Sequence, residues 1–194
     1  ICAGPGGYTG AHGLRPDLLT AGKVVAGGLP MGILGLTEET AERLASVVSG
    51  QLMGVAGVGG TLAGNALAMA AARATLSDVL TTDAYAHMTD RGREIAGGIA
   101  TVIERHRLPW HVLAYGSRVE YAFRSEPSRN GAEAFGTRDA PIECFIHLYS
   151  LNRGVLVVPF HNLAMASPAT SAAEVARHGE VFAGAVAAAL GTGA

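Results

Sequence analysis

Leu18-Leu19-Thr20-Ala21-Gly22-Lys23-Val24-Val25-Ala26-Gly27-Gly28-Leu29-Pro30 holds the only lysine in these 194 residues, and the other 13 cationic side chains are arginine. The stretch is apolar and glycine-rich, with no salt-bridge partner beside the lysine in sequence. Arginine stays protonated in proteins, whereas a desolvated lysine can become a neutral amine and attack a carbonyl. The glycines let backbone or a flat ligand approach the turn closely. The competing reading is a chance lysine that snorkels to the surface.

Composition frames that choice. A chain of this length suits one domain, or one and a half, and can bury a sizeable core. Charged residues make up 15%, against a usual share of about 25%. The surface is therefore poor in charge for a free-standing domain, which predicts a partner over it or a missing part. A net charge of −2 supplies no basic field for nucleic acid or an anionic membrane. No apolar run reaches the roughly 18 residues of a membrane span. Cys2 and Cys144 are too few for a disulfide framework, so the expected compartment is the cytoplasm. The chain begins with Ile1 and enters Gly4-Pro5-Gly6-Gly7 with no preceding element, which reads as a cut within a domain.

Working outward, short strands are expected near Leu18–Thr20 and Met31–Leu36. Thr37 should cap a helix to about Val47, with Glu38 and Glu39 in its first turn. A second helix is expected from Leu62 to Leu80, apolar nearly all round and so buried on most sides. A third, capped by Thr82, carries Met88, Ile95, Ile99, Val102 and Ile103 as one stripe and stops before Pro109. From about 110 the pattern changes. Arg118 to Arg124 alternates as a half-buried strand. Arg124 to Thr137 reads as a loop. Pro141 opens a helix bearing Ile142, Phe145, Ile146 and Tyr149, closed by Gly154. Val155–Val158 reads as a buried strand, and Ser171 with Glu174 as the capping box of a last helix to Leu190. The expected architecture is α/β, or an α+β layer, in two parts: residues 1–109 and residues 110–194.

Two further constellations could carry chemistry. Gly59-Gly60-Thr61 ahead of the Leu62 helix offers backbone N–H groups, a helix dipole and a hydroxyl for a phosphate. An ordinary threonine N-cap explains the same pattern. Pro159-Phe160-His161-Asn162 follows the expected Val155–Val158 strand, where open α/β sheets often place ligands. His161 there serves either a substrate carboxylate or a loop hydrogen bond. No histidine or cysteine spacing suits a metal.

A lysine amine plus a phosphate cradle is what pyridoxal 5′-phosphate needs. Arg15-Pro16-Asp17-Leu18-Leu19-Thr20-Ala21-Gly22-Lys23, followed by Gly27-Gly28-Leu29-Pro30-Met31-Gly32, resembles the lysine motif of class III aminotransferases. Gly60-Thr61-Leu62-Ala63-Gly64-Asn65-Ala66-Leu67-Ala68-Met69-Ala70-Ala71 is similar to their second signature. Within the family the likeness points to the glutamate-1-semialdehyde 2,1-aminomutase-like branch.

The resemblance implies the C-terminal half of a fold-type I enzyme: the remainder of the large cofactor domain with a connecting helix (1–109), then the small domain (110–194). Lys23 would form the Schiff base and shuttle a proton between the substrate Cα and the cofactor C4′. Thr61 would hold the phosphate across a homodimer interface, helped by the Gly60 N–H. His161, Asn162 and Arg118 would be substrate contacts, Arg118 otherwise being a plain surface arginine. Amino donor and acceptor would be small molecules. Relatives run to more than twice this length, and a phosphate loop, a ring-stacking aromatic and a ring-pairing aspartate would lie upstream of Ile1. The fragment alone is thus expected to be inactive. The alternatives are a non-catalytic interaction module descended from such an enzyme, disfavoured by the retained lysine, and a nucleotide-binding domain, disfavoured because no strand–GxGxxG–helix unit is present.

Overall fold

A computed structural model describes residues 2–49, 59–159 and 161–191. The chain packs as two compact units, one within Pro5–Thr81 and one within Thr82–Ala194 joined by the Ile1–Gly4 end.

The first unit contains a short helix α1 (Gly7–Ala11), strand β1 (Leu18–Ala21), a 3-10 turn at Lys23–Ala26, strand β2 (Ile33–Leu36), helix α2 (Glu38–Ser49) and helix α3 (Ala66–Ala74), which runs into a π-helical turn at Thr75–Val79. The two strands pair antiparallel from Leu18 opposite Leu36 to Ala21 opposite Ile33. Thr37 caps α2 as its sequence requires, its hydroxyl accepting from the Thr40 N–H at 3.3 Å. The buried centre is small: Val25 and Ala26 of the 3-10 turn, with Ala68 and Ala72 of α3.

Here the second expected helix needs correction. It starts at Ala66, because Asn65 takes the extended N-cap conformation and its side chain accepts the Ala68 N–H at 2.9 Å. Gly64, at φ +69°, turns the chain just before it. The α-helical hydrogen bonding also ends early, at Ala74, and the π turn completes the run. Nor is the helix buried all round: Ala68 and Ala72 face the unit's interior, while Leu67 is 69% exposed and Met69, Leu76 and Val79 are exposed too.

The second unit is built on helix α4 (Thr82–His106), strands β3 (His111–Tyr115) and β4 (Arg118–Ala122), a short helix α5 (Gly131–Phe135), helix α6 (Ala140–Leu151), strand β5 (Leu163–Met165) and helix α7 (Ala172–Ala189). The strands form one antiparallel sheet in the order β3-β4-β5. The expected α4 stripe of Met88, Ile95, Ile99, Val102 and Ile103 is buried in full. It meets Val119 from β4 and Val181, Phe182, Ala185 and Val186 from α7 to make the core. Each such Val, Ile or Phe contributes about 1.5–3 kcal/mol when fully buried. Arg107, at φ +50°, closes α4: its N–H reaches Glu104 O and Leu108 N–H reaches Ile103 O, a Schellman ending before Pro109. The β3–β4 hairpin turns through Gly116 (φ +58°) and Ser117.

Three expectations in this unit change. Val155–Val158 is not a strand; its Leu156 is 81% exposed, and the third strand is β5, further along. The segment is held instead by His147, whose Nδ1–H donates to the Val157 carbonyl at 2.8 Å. The loop from Arg124 to Thr137 contains α5, capped by the Asn130 side chain on the Glu133 N–H at 2.9 Å. On α6 only Ile146 of the expected apolar set is buried, and its companions on the buried face are Glu143 and Ser150. The Gly154 closure is as expected, with φ +78° and hydrogen bonds from Gly154 N–H to Leu151 O and from Val155 N–H to Ser150 O. So is the α7 capping box of Ser171 and Glu174.

Candidate functional site

Lys23 opens the 3-10 turn directly after β1. The turn is pinned by its other half: Val25 and Ala26 are buried, while Lys23 and Val24 are exposed. An amine desolvated within its own unit, as the sequence suggested, is therefore not what the described residues provide. The backbone supplies a different signal. Lys23 has φ +57°, and among the described residues only Arg107 shares a positive φ without being glycine. Arg107 adopts it to close a helix. Lys23 follows a strand and begins a turn, so helix closure does not explain it. A non-glycine residue in this region costs on the order of 1 kcal/mol, a strain that clusters at ligand-binding positions. Gly27 ends the turn at φ +61° and donates to the Val24 carbonyl at 3.0 Å.

Gly60 and Thr61 lie in the exposed turn ahead of α3. Because Asn65 occupies the cap, Thr61 is removed from the helix N-terminus, and the dipole argument for an anion there fails. What the unit does bring together is Gly60 and the Pro30-Met31-Gly32 loop, which face each other across an open cleft of about 340 Å³ that also meets Gly59 and Gly64. A Cβ placed on Gly60 or Gly64 would meet nothing within 4 Å. Neither Lys23 nor Thr61 lines that cleft; the Lys23 amine, the Gly60 backbone and the Thr61 hydroxyl are by their chemistry the kinds of group a phosphorylated aldehyde calls for.

In the second unit the three weaker candidates converge. Tyr121 N–H donates to the Asn162 carbonyl at 3.1 Å, and Glu120 pairs with Leu163 in the sheet register. That pairing carries His161 beside β4, so His161 and Asn162 precede a strand rather than follow one. Arg118 donates to Glu120 Oε2 at 2.7 Å, and His161 Nδ1 lies 3.9 Å from Glu120 Oε1. A cavity of about 410 Å³ opens here, lined by Glu120, Tyr121, Arg138, Glu143, His161 and Asn162 among others.

Sequence reasoning missed Glu120 and Glu143. Glu143 is only 5% exposed, and Arg138 grips both its oxygens, Nη2 to Oε2 at 2.8 Å and Nε to Oε1 at 3.3 Å. Burial, and then the Glu143 charge, push the Tyr121 phenol far above its usual pKa. An acid within an apolar helix face, five residues after an arginine at the helix start, was the available signal.

Fold and sequence together place the chain in a family of aminotransferases. A family profile described as Aminotransferase class-III matches residues 4–180, and the chain belongs to that family. The particular relatives are glutamate-1-semialdehyde 2,1-aminomutases. One from Anaeromyxobacter dehalogenans is 33% identical over 79% of this chain and 34% of its own length, and one from Bacillus cereus is 34% identical over 77% and 33%. A crystal structure of a glutamate-1-semialdehyde-aminomutase from Pseudomonas aeruginosa PAO1 is 47% identical, with a TM-score of 0.91 over 96% of this chain and 42% of that one. A second structure of that protein is in complex with PMP. A β-phenylalanine aminotransferase from Variovorax paradoxus shares the fold at 22% identity and a TM-score of 0.82, covering 98% of this chain and 42% of that one. The chain thus spans about a third to two fifths of the relatives it matches.

Proposed function

We propose that this chain is the lysine-bearing part of a pyridoxal-phosphate-dependent enzyme of amino-group transfer, a transaminase or aminomutase acting on an amino acid or amino aldehyde. The observation that carries the reading is the sole lysine, held with a left-handed backbone at a turn bounded by glycines, inside a class III match covering most of the chain. When bound, the cofactor would supply an aldehyde that an amine can capture and a ring that withdraws electrons from the carbon bearing that amine. Lys23 holds that aldehyde through its amine. The same amine would move a proton between the donor Cα and the cofactor C4′. Gly60 presents its backbone N–H, and Thr61 its hydroxyl, to the phosphate. Thr61 does so in the neighbouring subunit of a homodimer. His161, Asn162 and Arg118 form the substrate wall.

Residues 1–109 then belong to the large cofactor domain and 110–194 to the small domain of a longer cytoplasmic protein, and these 194 residues alone do not turn over substrate. The complete protein, purified, should carry a visible cofactor band that an amino donor bleaches and a keto acid restores. A screen of donors against acceptors separates transaminase from mutase. Absence of the band after incubation with pyridoxal phosphate would sink this reading.

A further inference from the structure

The lysine turn is seated on one face of the helix that packs against it. Ala68, Ala72 and Thr75 recur at i, i+4 and i+7, the spacing of a single helical face. Ala68 and Ala72 share the buried centre of the unit with Val25 and Ala26 of the turn. Thr75, half-buried, ends that row, and a Cβ added to Gly27 would lie 2.9 Å from its hydroxyl oxygen. The helical bonding changes at this residue: the Leu80 N–H reaches back to the Thr75 carbonyl at 2.9 Å, and Leu76 to Val79 are exposed. Single π-helical turns are frequent at functional sites. The lysine turn itself is stiff. Both its ends are left-handed, Lys23 at φ +57° and Gly27 at φ +61°, and the Gly27 and Leu29 N–H groups donate to the Val24 and Ala26 carbonyls at 3.0 and 3.1 Å. A non-glycine residue stays left-handed only where its surroundings over-determine it.

We propose that Thr75 is a positioning residue for Lys23. It acts through Gly27: its side chain sets how far the stiff turn can settle onto α3, and so where the lysine backbone and its amine stand. The inference rests on the amino-transfer reading, in which that amine must meet an aldehyde held by other groups. Reactions between bound groups are sensitive to placement, and a shift of about 1 Å can cost on the order of a hundredfold. Thr75→Ala opens a gap beside Gly27 into which the turn can move, while its better helix propensity offsets the lost contact in stability. Thr75→Ser keeps the oxygen that Gly27 meets. Gly27→Ala overfills the same space. Its Cβ is accommodated once Thr75 is alanine, although the left-handed φ still strains the new residue. The two substitutions therefore offset one another in placement, a coupling that a double-mutant cycle isolates.

The test measures how fast the complete protein, stripped of cofactor, captures added pyridoxal 5′-phosphate. Capture is followed as growth of the visible band, with the unfolding midpoint read on the same samples. Thr75→Ala should slow capture about three- to tenfold while leaving the midpoint in place, and Thr75→Ser should stay within about twofold of the wild type. Gly27→Ala should slow it about tenfold, and adding Thr75→Ala to that variant should make it about threefold faster again. Ile99→Val, which thins the core of the other unit, should lower the midpoint without changing the rate. A role in folding alone predicts rates that follow the midpoint in every variant, Ile99→Val included. That pattern overturns the inference, as does a Thr75→Ala rate within about twofold of the wild type or a double variant no faster than Gly27→Ala. A wild type that captures no cofactor removes the amino-transfer reading and this inference with it. A wild type that captures cofactor, with Thr75→Ala unmoved, removes the positioning role alone.

Discussion

Gly27 and Thr75 lie so close that a Cβ added to Gly27 would sit 2.9 Å from the Thr75 hydroxyl oxygen. Gly27 ends the Lys23 turn and Thr75 begins the π-helical turn after α3, so this approach fixes the lysine-bearing turn against the helix that follows the Gly60-Thr61 loop. Gly27→Ala meets two penalties, the left-handed φ and the Thr75 contact. It should destabilise the protein by about 1–3 kcal/mol in denaturant titrations. Cofactor retention should weaken with it. A stability change within error would mean the contact is loose.

Thr61 and Asn65 separate ligand binding from folding. Asn65 caps α3, and Asn65→Ala should cost about 1 kcal/mol of stability. Thr61 is exposed and caps no described helix, so Thr61→Ala should leave the unfolding midpoint in place while weakening cofactor affinity. If Thr61→Ala costs as much stability as Asn65→Ala and leaves cofactor affinity unchanged, Thr61 is a structural residue.

The core of the second unit predicts a larger effect. Ile99, 1% exposed, packs where α4 meets the sheet and α7. Ile99→Ala should cost about 2–5 kcal/mol, the transfer loss plus the cavity left behind. Arg138→Ala leaves the Glu143 carboxylate buried without its guanidinium and should cost roughly 1–3 kcal/mol, reduced from a fully buried pair because Arg138 is partly exposed. Glu143→Gln together with Arg138→Met should recover most of that loss.

Acid sensitivity follows from His178. Its ring lies parallel to Phe182 at 6.2 Å between centroids, and burial lowers its pKa below the ordinary value. The unfolded chain then binds more protons than the folded one between the lowered folded pKa and the unfolded value of about 6.5. Stability from the neutral ring is complete above that unfolded value, falls as pH drops below it, and levels off once the folded group itself protonates. Unfolding free energies measured from pH 8 to pH 5 should show this fall, and His178→Phe should flatten it. An equal fall in the variant would assign the slope to other groups.

The legible parts of the sequence were those whose causes are local. The α4 stripe, the Ser171–Glu174 box, the Gly154 closure and the alternation of β4 all follow from periodicity or from capping residues a few positions apart. The start of α3 was misread because Gly59-Gly60-Thr61 and Gly64-Asn65 both carry start signals; the second pair has a glycine that breaks the chain and a stronger cap. Val155–Val158 failed for a different reason, since a short apolar run does not reveal whether a sheet edge is available to it. The inward face of α6 depends on Glu143 finding Arg138, and the setting of Arg118 and His161 on Glu120 depends on the β4–β5 register. Both are tertiary facts. The lysine was legible as the only one of its kind, yet its left-handed backbone was not.

The most direct test of the account is where the cofactor attaches. The complete protein, loaded with pyridoxal phosphate and reduced with borohydride, should yield one peptide with the cofactor fixed to Lys23, and Lys23→Ala should yield none while keeping its fold by circular dichroism. Cofactor fixed elsewhere in the wild type, or a reducible covalent adduct surviving in Lys23→Ala, would contradict it.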